Sequence, residues 1–353
     1  MESNSPITEA QISALIASRI LGPKTVIYTD RNDRPITKEL EIALSFPPER
    51  DKARQALESW QSRDIFAVAL EDHLYPEALK QIPAPPLIFY YRGDFPALDP
   101  TRALSIVGAR RADPIGIQTA RSFAASLSSR GIQIVSGLAL GIDAAAHLGA
   151  MDSTLSNSTF AVLGSGVDLI YPSSHHNLAQ KILDSGGALL SHFEPGTKPF
   201  PSNFLDRNRL IAALSQGVLV IQASMKSGSL VTARYGIEQG RDVMVIPGAI
   251  TDHRFEGSNN LIKQGAHLVT SVQDVLEILP ALPNKIAQDS SQISLSPEQS
   301  RIISALQRFP SLHFDQLRKE VNHAQLDELI LELELAGILT RLPGNFLALL
   351  PNH

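Results

Sequence analysis

The chain is 353 residues long, 43% hydrophobic and 19% charged, which suits two or three domains with a real core. It contains no cysteine, which excludes disulfides, thiolate catalysis and cysteine-ligated zinc or iron–sulfur centres within it. No run of about 18 apolar residues is present to span a membrane, and residues 1–6 have neither a basic start nor an apolar signal core, so a soluble cytoplasmic protein is expected.

The formal net charge of −5 means that any nucleic-acid site has to be a local basic patch on an acidic surface. At the start of the chain, Thr8 and Gln11 are spaced for a capping box. Ile12, Leu15, Ile16 and Ile20 then share one helical face, and Gly22-Pro23 ends the run. Further helical patterns at about 38–44 and 49–60 complete a small helical N-terminal domain, assigned to residues 1–80 and SAM/HhH-like in kind. Residues 66–70 and 87–91 read as short strands, and Pro76, Pro83, Pro85 and Pro86 forbid a continuous helix between them.

From residue 104 short apolar runs alternate with helical ones. Strands are expected at 104–107, 132–135, 160–163, 188–190, 218–221, 243–246 and 266–269, nearly unbroken in apolar character as strands buried on both faces should be. Most run into Gly108, Ser136-Gly137, Gly164, Ser191 or Gly248, with helical patterns such as 118–129 and 178–183 between them. This alternation predicts an α/β fold, an extended Rossmann-like parallel, doubly wound sheet over residues 81–280, including the segment that leads into it. Ligands of such sheets bind beyond the carboxyl ends of the strands. A linker rich in Ser, Gln and Pro, residues 281–296, leads to a third domain, 297–353. Helices at 297–309, 314–321 and 324–336 and a hairpin of 339–342 with 346–350 around Pro343-Gly344-Asn345 give it a winged-helix pattern.

The candidate chemistry lies in the loops. Gly108-Ala109-Arg110-Arg111 follows the first strand of the alternating region and lacks the G-x-G-x-x-G fingerprint, which disfavours a nicotinamide enzyme. Arg110 suits a forked contact to phosphate or an ion pair with Asp113, and the residues alone leave both open. In the next loop Gly137 and Gly141 flank a strand-to-helix turn, Asp143 favours the helix start, and His147 lies one turn on. With no nucleophile beside them, Asp143 and His147 read as a structural pair bracing the loop. His175 and His176 point to different helix faces without a third ligand, so no metal site is expected.

Lys198, Phe204, Arg207, Asn208 and Arg209 cluster at a helix start, where an aromatic among cations suits single-stranded nucleic acid. The alternative is a core Phe204 with the arginines in ion pairs. Between residues 198 and 241 six basic residues (Lys198, Arg207, Arg209, Lys226, Arg234, Arg241) stand against two acids (Asp206, Glu238), which favours an anion site. Lys226, Ser227, Gly228 and Ser229, with Thr232, open another helix and offer hydroxyls beside backbone N–H groups, a phosphate nest unless Ser229 is an ordinary N-cap.

Taken together these blocks resemble the DprA/Smf family of DNA-processing proteins. The matching stretches are Ile106-Val-Gly-Ala-Arg110, Ser136-Gly-Leu-Ala-Leu-Gly-Ile-Asp143 with His147, Val162-Leu-Gly-Ser-Gly-Val-Asp-Leu-Ile-Tyr-Pro172 and Phe204-Leu-Asp-Arg-Asn-Arg209. Ser227-Gly-Ser-Leu-Val-Thr-Ala233, Gly240-Arg-Asp-Val-Met-Val-Ile-Pro-Gly248 and Gly257-Ser-Asn-Asn-Leu-Ile-Lys-Gln-Gly-Ala266 continue the series. The resemblance implies an extended Rossmann domain that forms a homodimer and binds single-stranded DNA, protecting it during natural transformation (competence) and helping to load a RecA-type recombinase. It places Arg110 on the Arg of the family's Gly-Ser-Arg motif and Phe204, Arg207 and Arg209 on its Phe-x-x-Arg-Asn-Arg motif. The DNA-binding set is therefore Arg110, Lys198, Phe204, Arg207, Asn208, Arg209, Lys226, Ser227, Gly228 and Ser229. The loop-structural set is Gly108, Gly137, Gly141, Asp143, His147, Gly164 and Gly166. His192 and Gln222 stand where the family usually has Glu, which removes two carboxylates near the site.

No catalytic residue, cofactor or metal is assigned. The alternative is a nucleotide hydrolase related to the lysine-decarboxylase-like (LOG) phosphoribohydrolases, but Thr232 occupies the position of their Glu, leaving Glu194 or Asp206 as substitutes. The third C-terminal helix carries Asp327, Glu328, Glu332 and Glu334 with no Lys or Arg, and Gln325 is its one base-reading side chain. Residues 291–353 hold five basic residues against seven acidic ones, so this domain is expected to contact protein rather than duplex DNA.

Overall fold

The computed structural model describes residues 6–21, 44–153, 155–283, 296–309, 311–321, 326–335, 338–342 and 344–349. Gly22-Pro23, the predicted helix at 38–44 except its last residue, most of the linker, Gln325 and Pro343 lie outside the described residues. The chain forms two compact units, residues 1–286 and 287–353.

Helix α1 (Glu9–Leu21) opens with the expected capping box. The Gln11 N–H donates to Thr8 Oγ1 at 3.1 Å and the Thr8 N–H to Gln11 Oε1 at 3.0 Å. Its apolar face, Ile12, Leu15 and Ile16, packs with Ala53, Leu57 and Trp60 of α2 (Pro47–Gln61). Both helices lie on strands β1 (Phe66–Ala69) and β2 (Ile88–Gly93), which a short helix α3 (Glu77–Lys80) separates in the chain. Trp60 meets Tyr90 edge-on at 5.4 Å. A domain boundary at residue 80 therefore cuts through a sheet: β1 pairs antiparallel with β2, and β2 antiparallel with a strand about 100 residues later, a register that no local pattern encodes.

The alternation from residue 103 folds as expected. In chain order it runs β3 (Ala103–Val107), α4 (Pro114–Ser128), β4 (Gln133–Ser136), α5 (Ile142–Met151), β5 (Thr159–Val162), α6 (His176–Asp184) and β6 (Ala188–Ser191). It continues through α7 (Pro201–Ala213), β7 (Gly217–Val220), α8 (Ser229–Glu238), β8 (Asp242–Val245), α9 (Glu256–Lys263), β9 (His267–Leu268) and α10 (Val272–Ile278). The sheet order is β1-β2-β6-β5-β4-β3-β7-β8-β9, parallel from β6 through β9, so the sheet is mostly parallel with an antiparallel edge. Chain order reverses beside β3, which has β4 on one side and β7 on the other, making that edge of the sheet the crevice where ligands of such folds bind.

Both faces of the sheet are buried. Leu104 and Ile106 pack under α4 and α5, whereas Ala103 and Val107 pack under α7, the period-2 alternation of a strand between two helical layers. Among the described residues no helix is long and apolar enough to cross a membrane.

The second unit contains α11 (Pro297–Leu306), β10 (Leu312–His313), α12 (Phe314–Val321), α13 (Leu326–Leu335), β11 (Leu339–Leu342) and β12 (Phe346–Leu349). The strands pair in the order β10-β12-β11 over a core that includes Ile302, Leu306, Leu317, Ile330 and Leu347. Strand β10 was not expected, since two residues are too few to show a period. α11 starts with a Ser296–Gln299 capping box, and α13 turns Asp327, Glu328 and Glu332 outward.

Trp60 is the sole tryptophan, and it is buried between the N-terminal helices and the sheet. Its fluorescence should therefore change at the same temperature as the main loss of far-UV ellipticity. A Trp60 transition several degrees earlier would show that the N-terminal helices open as an independent unit.

Candidate functional site

Three strand-end loops and one helix meet at the crevice. The loop after β3 is tied on both sides: the Ala109 N–H donates to Gln222 O at 2.7 Å, and Ala109 O accepts the Ile142 N–H at 3.2 Å. The second contact is possible because position 141 is glycine: φ is +79°, and a Cβ there would sit 2.3 Å from Ala109 O. At the same end, Asp143 accepts from the Gly137 N–H at 3.1 Å and the Ala139 N–H at 3.4 Å, pinning the loop after β4. Leu138 within that loop is held buried at φ +56°, and its carbonyl meets His175 Nδ1 at 2.9 Å. Gly108 packs on Ile142, and the Gly166 N–H donates to Thr197 O at 2.9 Å.

Helix α7 crosses above these loops. Arg207 is only 3% exposed; its Nη1 donates to Gly137 O at 2.8 Å and to Val162 O, and its Nε donates to Asn208 Oδ1 at 3.1 Å. Burial draws its pKa down to about 10, while the neighbouring Asp143 acts in the opposite sense. Burial likewise pushes the Asp143 carboxyl up, against the pull of Arg207 and of the two N–H donors. Asn208 Nδ2 donates to Gly228 O at 3.2 Å and so fastens α7 to the loop after β7. One turn before Arg207, Phe204 rests on Gly164, so closely that a Cβ at 164 would lie 2.6 Å from its ring.

Around these groups lies a cavity of about 580 Å³. All of the predicted DNA-binding residues except Lys198 and Arg209 line it. Arg110 is exposed, with its guanidinium carbon 5.2 Å from the Phe204 ring centroid. Asp113 is not its partner. Instead Asp113 caps α4 through the Gly116 N–H at 2.6 Å and pairs with Arg254 at 3.2 Å. Ser229 is not an N-cap either: Gly228 takes that position without a side-chain bond, and Ser229 Oγ lies 2.7 Å from Ser227 Oγ. Arg111, His253, Arg254 and Tyr171 also belong to the cavity walls or to the slot beside them. Sequence reasoning missed them as site residues. Arg254 follows β8, outside the motif blocks, and Tyr171 lay inside a matching block without an assigned role.

Three expectations need correction. Arg207 and Arg209 were expected to reach phosphate, yet both direct donors to groups of the protein itself. Arg207 spends its donors on carbonyls and on Asn208. Arg209 pairs with Asp206 at 3.1 Å and donates to Ala84 O at 2.6 Å, off the cavity. Lys198 is exposed elsewhere, its carbonyl accepting from Asn203 Nδ2 at 3.5 Å. His147 does not pair with Asp143; its Nδ1 meets Thr159 Oγ1 at 2.7 Å and the ring is fully buried. Their i, i+4 spacing put both on one helix face, but His147 turns to the strand beneath and Asp143 to the loop that precedes its helix.

His192 and Gln222 carry local bonds of their own. His192 Nε2 lies 2.9 Å from Asp206 Oδ2. Burial works against the Asp206 carboxylate, but its bonds from His192 and Arg209 hold it below the ordinary range. The Gln222 amide donates to Asp113 Oδ2 at 3.1 Å and accepts the Asp113 N–H at 3.2 Å. Among the described residues no group of three His, Asp or Glu is arranged to hold a metal ion.

Burial lowers the pKa of His147 from about 6.5 to about 3. Between these values the unfolded chain binds the extra proton, so stability rises with pH through this window and is lost as pH falls below 6.5. Compared with His147→Gln, the parent should lose about 2 kcal/mol more stability between pH 6 and pH 4.5, measured by urea unfolding. Parallel pH profiles would show that His147 titrates normally in the folded state.

The sequence profile described as DNA recombination-mediator protein A matches residues 66–280. Protein Smf of Escherichia coli K12 is 35% identical over 327 residues, covering 88% of this chain and 84% of that protein. DNA processing protein DprA of Streptococcus pneumoniae is 40% identical over 205 residues, covering 58% of this chain and 71% of that protein. The crystal structure of DNA processing protein A from Streptococcus pneumoniae superposes with a TM-score of 0.63 at 33% identity, covering 77% of this chain and 98% of that one. DNA processing protein A from Helicobacter pylori, whose structure is described for its single-stranded DNA binding mode, gives 0.55 at 32% identity over 61% of this chain and 95% of that one.

Proposed function

The chain belongs to the DNA recombination-mediator protein A family, and on that premise we propose that the cavity at the β3/β7 crevice binds the backbone of single-stranded DNA. One observation carries the proposal. Arg110, Arg111 and Lys226 converge on a cavity, with Arg254 at its wall held by Asp113 and Asp252, and among the described lining residues the one carboxylate, Asp143, faces the buried Arg207. Hydroxyls of Ser227, Ser229 and Thr232 and the start of α8 add neutral donors suited to phosphate oxygens. In this reading Arg110, Lys226 and the 227–229 turn meet the strand, while Arg207 and Asn208 hold the walls in place.

Family membership supports a wider reading. The protein acts in the cytoplasm as a homodimer that protects incoming single strands during natural transformation and helps to load a RecA-type recombinase; it is a binding protein, not an enzyme. The phosphoribohydrolase alternative is weaker, because its candidate carboxylates are committed elsewhere. Glu194 pairs with Arg19 at 2.8 Å, Asp206 with His192 and Arg209, and neither lines the cavity. We read the second unit as a winged helix serving protein contact, since α13 presents Asp327, Glu328 and Glu332 outward.

Charge reversal tests the cavity. Arg110→Glu should weaken binding to fluorescein-labelled oligothymidine about tenfold or more, and should lower the slope of log K against log salt by about 0.7, as one phosphate contact is lost. Equal affinity and an equal slope in anisotropy titrations would remove Arg110 from the site. A chain ending at residue 290 should bind the same strand within about threefold of the full chain, because the unit it lacks carries excess acidic charge. A much larger loss would make the second unit part of the DNA site.

A further inference from the structure

Phe204 was expected to stack on a base, but its ring is already hemmed in. Gly164 lies against it, the Arg110 guanidinium stands 5.2 Å from its centroid and that of Arg207 6.0 Å. The neighbouring ring is different. Tyr171 lies 5.4 Å from Phe204 between centroids, tilted by 38°, and is 47% exposed, as is Leu140 across from it. Tyr171, Leu140, Pro172, Phe204 and Arg110 together line a slot of about 60 Å³ beside the main cavity. That volume is too small to enclose a base, so a base would lie across its mouth with one edge in the slot.

We propose that Tyr171 is the base-stacking residue of this site: an unpaired nucleobase lies on its ring, Leu140 borders it, and the adjoining phosphate rests on Arg110. The inference rests on the single-stranded DNA reading above and adds to it where the bases go. An aromatic face accepts any base, which suits a strand held without regard to sequence. Phe204 becomes the support that keeps Arg110 and Tyr171 side by side.

The test uses the full chain, an intact labelled oligothymidine and a series of the same strand with a single abasic site at each position in turn. Tyr171→Ala and Tyr171→Leu should each weaken binding of the intact strand about tenfold, Tyr171→Trp should bind like the parent, and the salt slope should stay the same, because no charge is lost. On the strand whose missing base faces the slot, parent and Tyr171→Ala should bind equally. Parent protein that fails to bind oligothymidine overturns the functional reading, and this one with it. Parent binding that Tyr171→Ala and Tyr171→Leu leave intact, or a loss that persists undiminished on every abasic strand, overturns the stacking role alone.

Discussion

A buried guanidinium organises the site. Removing a cation from water costs several kcal/mol unless fixed partners replace the lost hydration. Arg207 finds its partners in the carbonyls of Gly137 and Val162, at the ends of the neighbouring strands β4 and β5, with Asp143 close by. Those carbonyls belong to the backbone, so satisfying Arg207 also fixes where α7 crosses the strand ends. Phe204 lies three residues earlier on the same helix face and is brought onto Gly164. Asn208 follows directly and ties the helix to Gly228. A residue that looks in sequence like a ligand contact fastens α7 across the strand ends.

Strand order supplies the second constraint. Reversal of chain order at β3 leaves a crevice between the loops after β3 and β7, and separate segments deliver the cations there. Arg110 and Arg111 follow β3, Lys226 follows β7 and Arg254 follows β8. A chain with net charge −5 thereby gathers positive charge in one concavity, where low-dielectric walls focus the field on an approaching polyanion.

His192 and Gln222 settle the charges beside the site through local bonds. Asp206, held by His192 and Arg209, supplies a carboxylate in that part of α7. Gln222 both donates to and accepts from Asp113, which a carboxylate at 222 could not do, and so steadies the start of α4 without setting two negative charges together.

The sequence by itself determined the layered α/β class, nearly every strand of the alternating region, the capping box at Thr8 and the glycine-marked strand ends. These depend on hydrophobic period and local backbone chemistry, which neighbouring residues carry. It also picked out most of the cavity's lining, because motif blocks sit at strand ends and strand ends converge. Tertiary structure alone decided that β1 and β2 join the same sheet, that Arg207 and Arg209 are fastened inside, that His147 turns to Thr159, and that Arg254 and Tyr171 stand at the site. Partner choice in these cases is set chiefly by groups on other elements of the chain, brought into range only once the sheet has ordered its strands and the helices have packed across their ends.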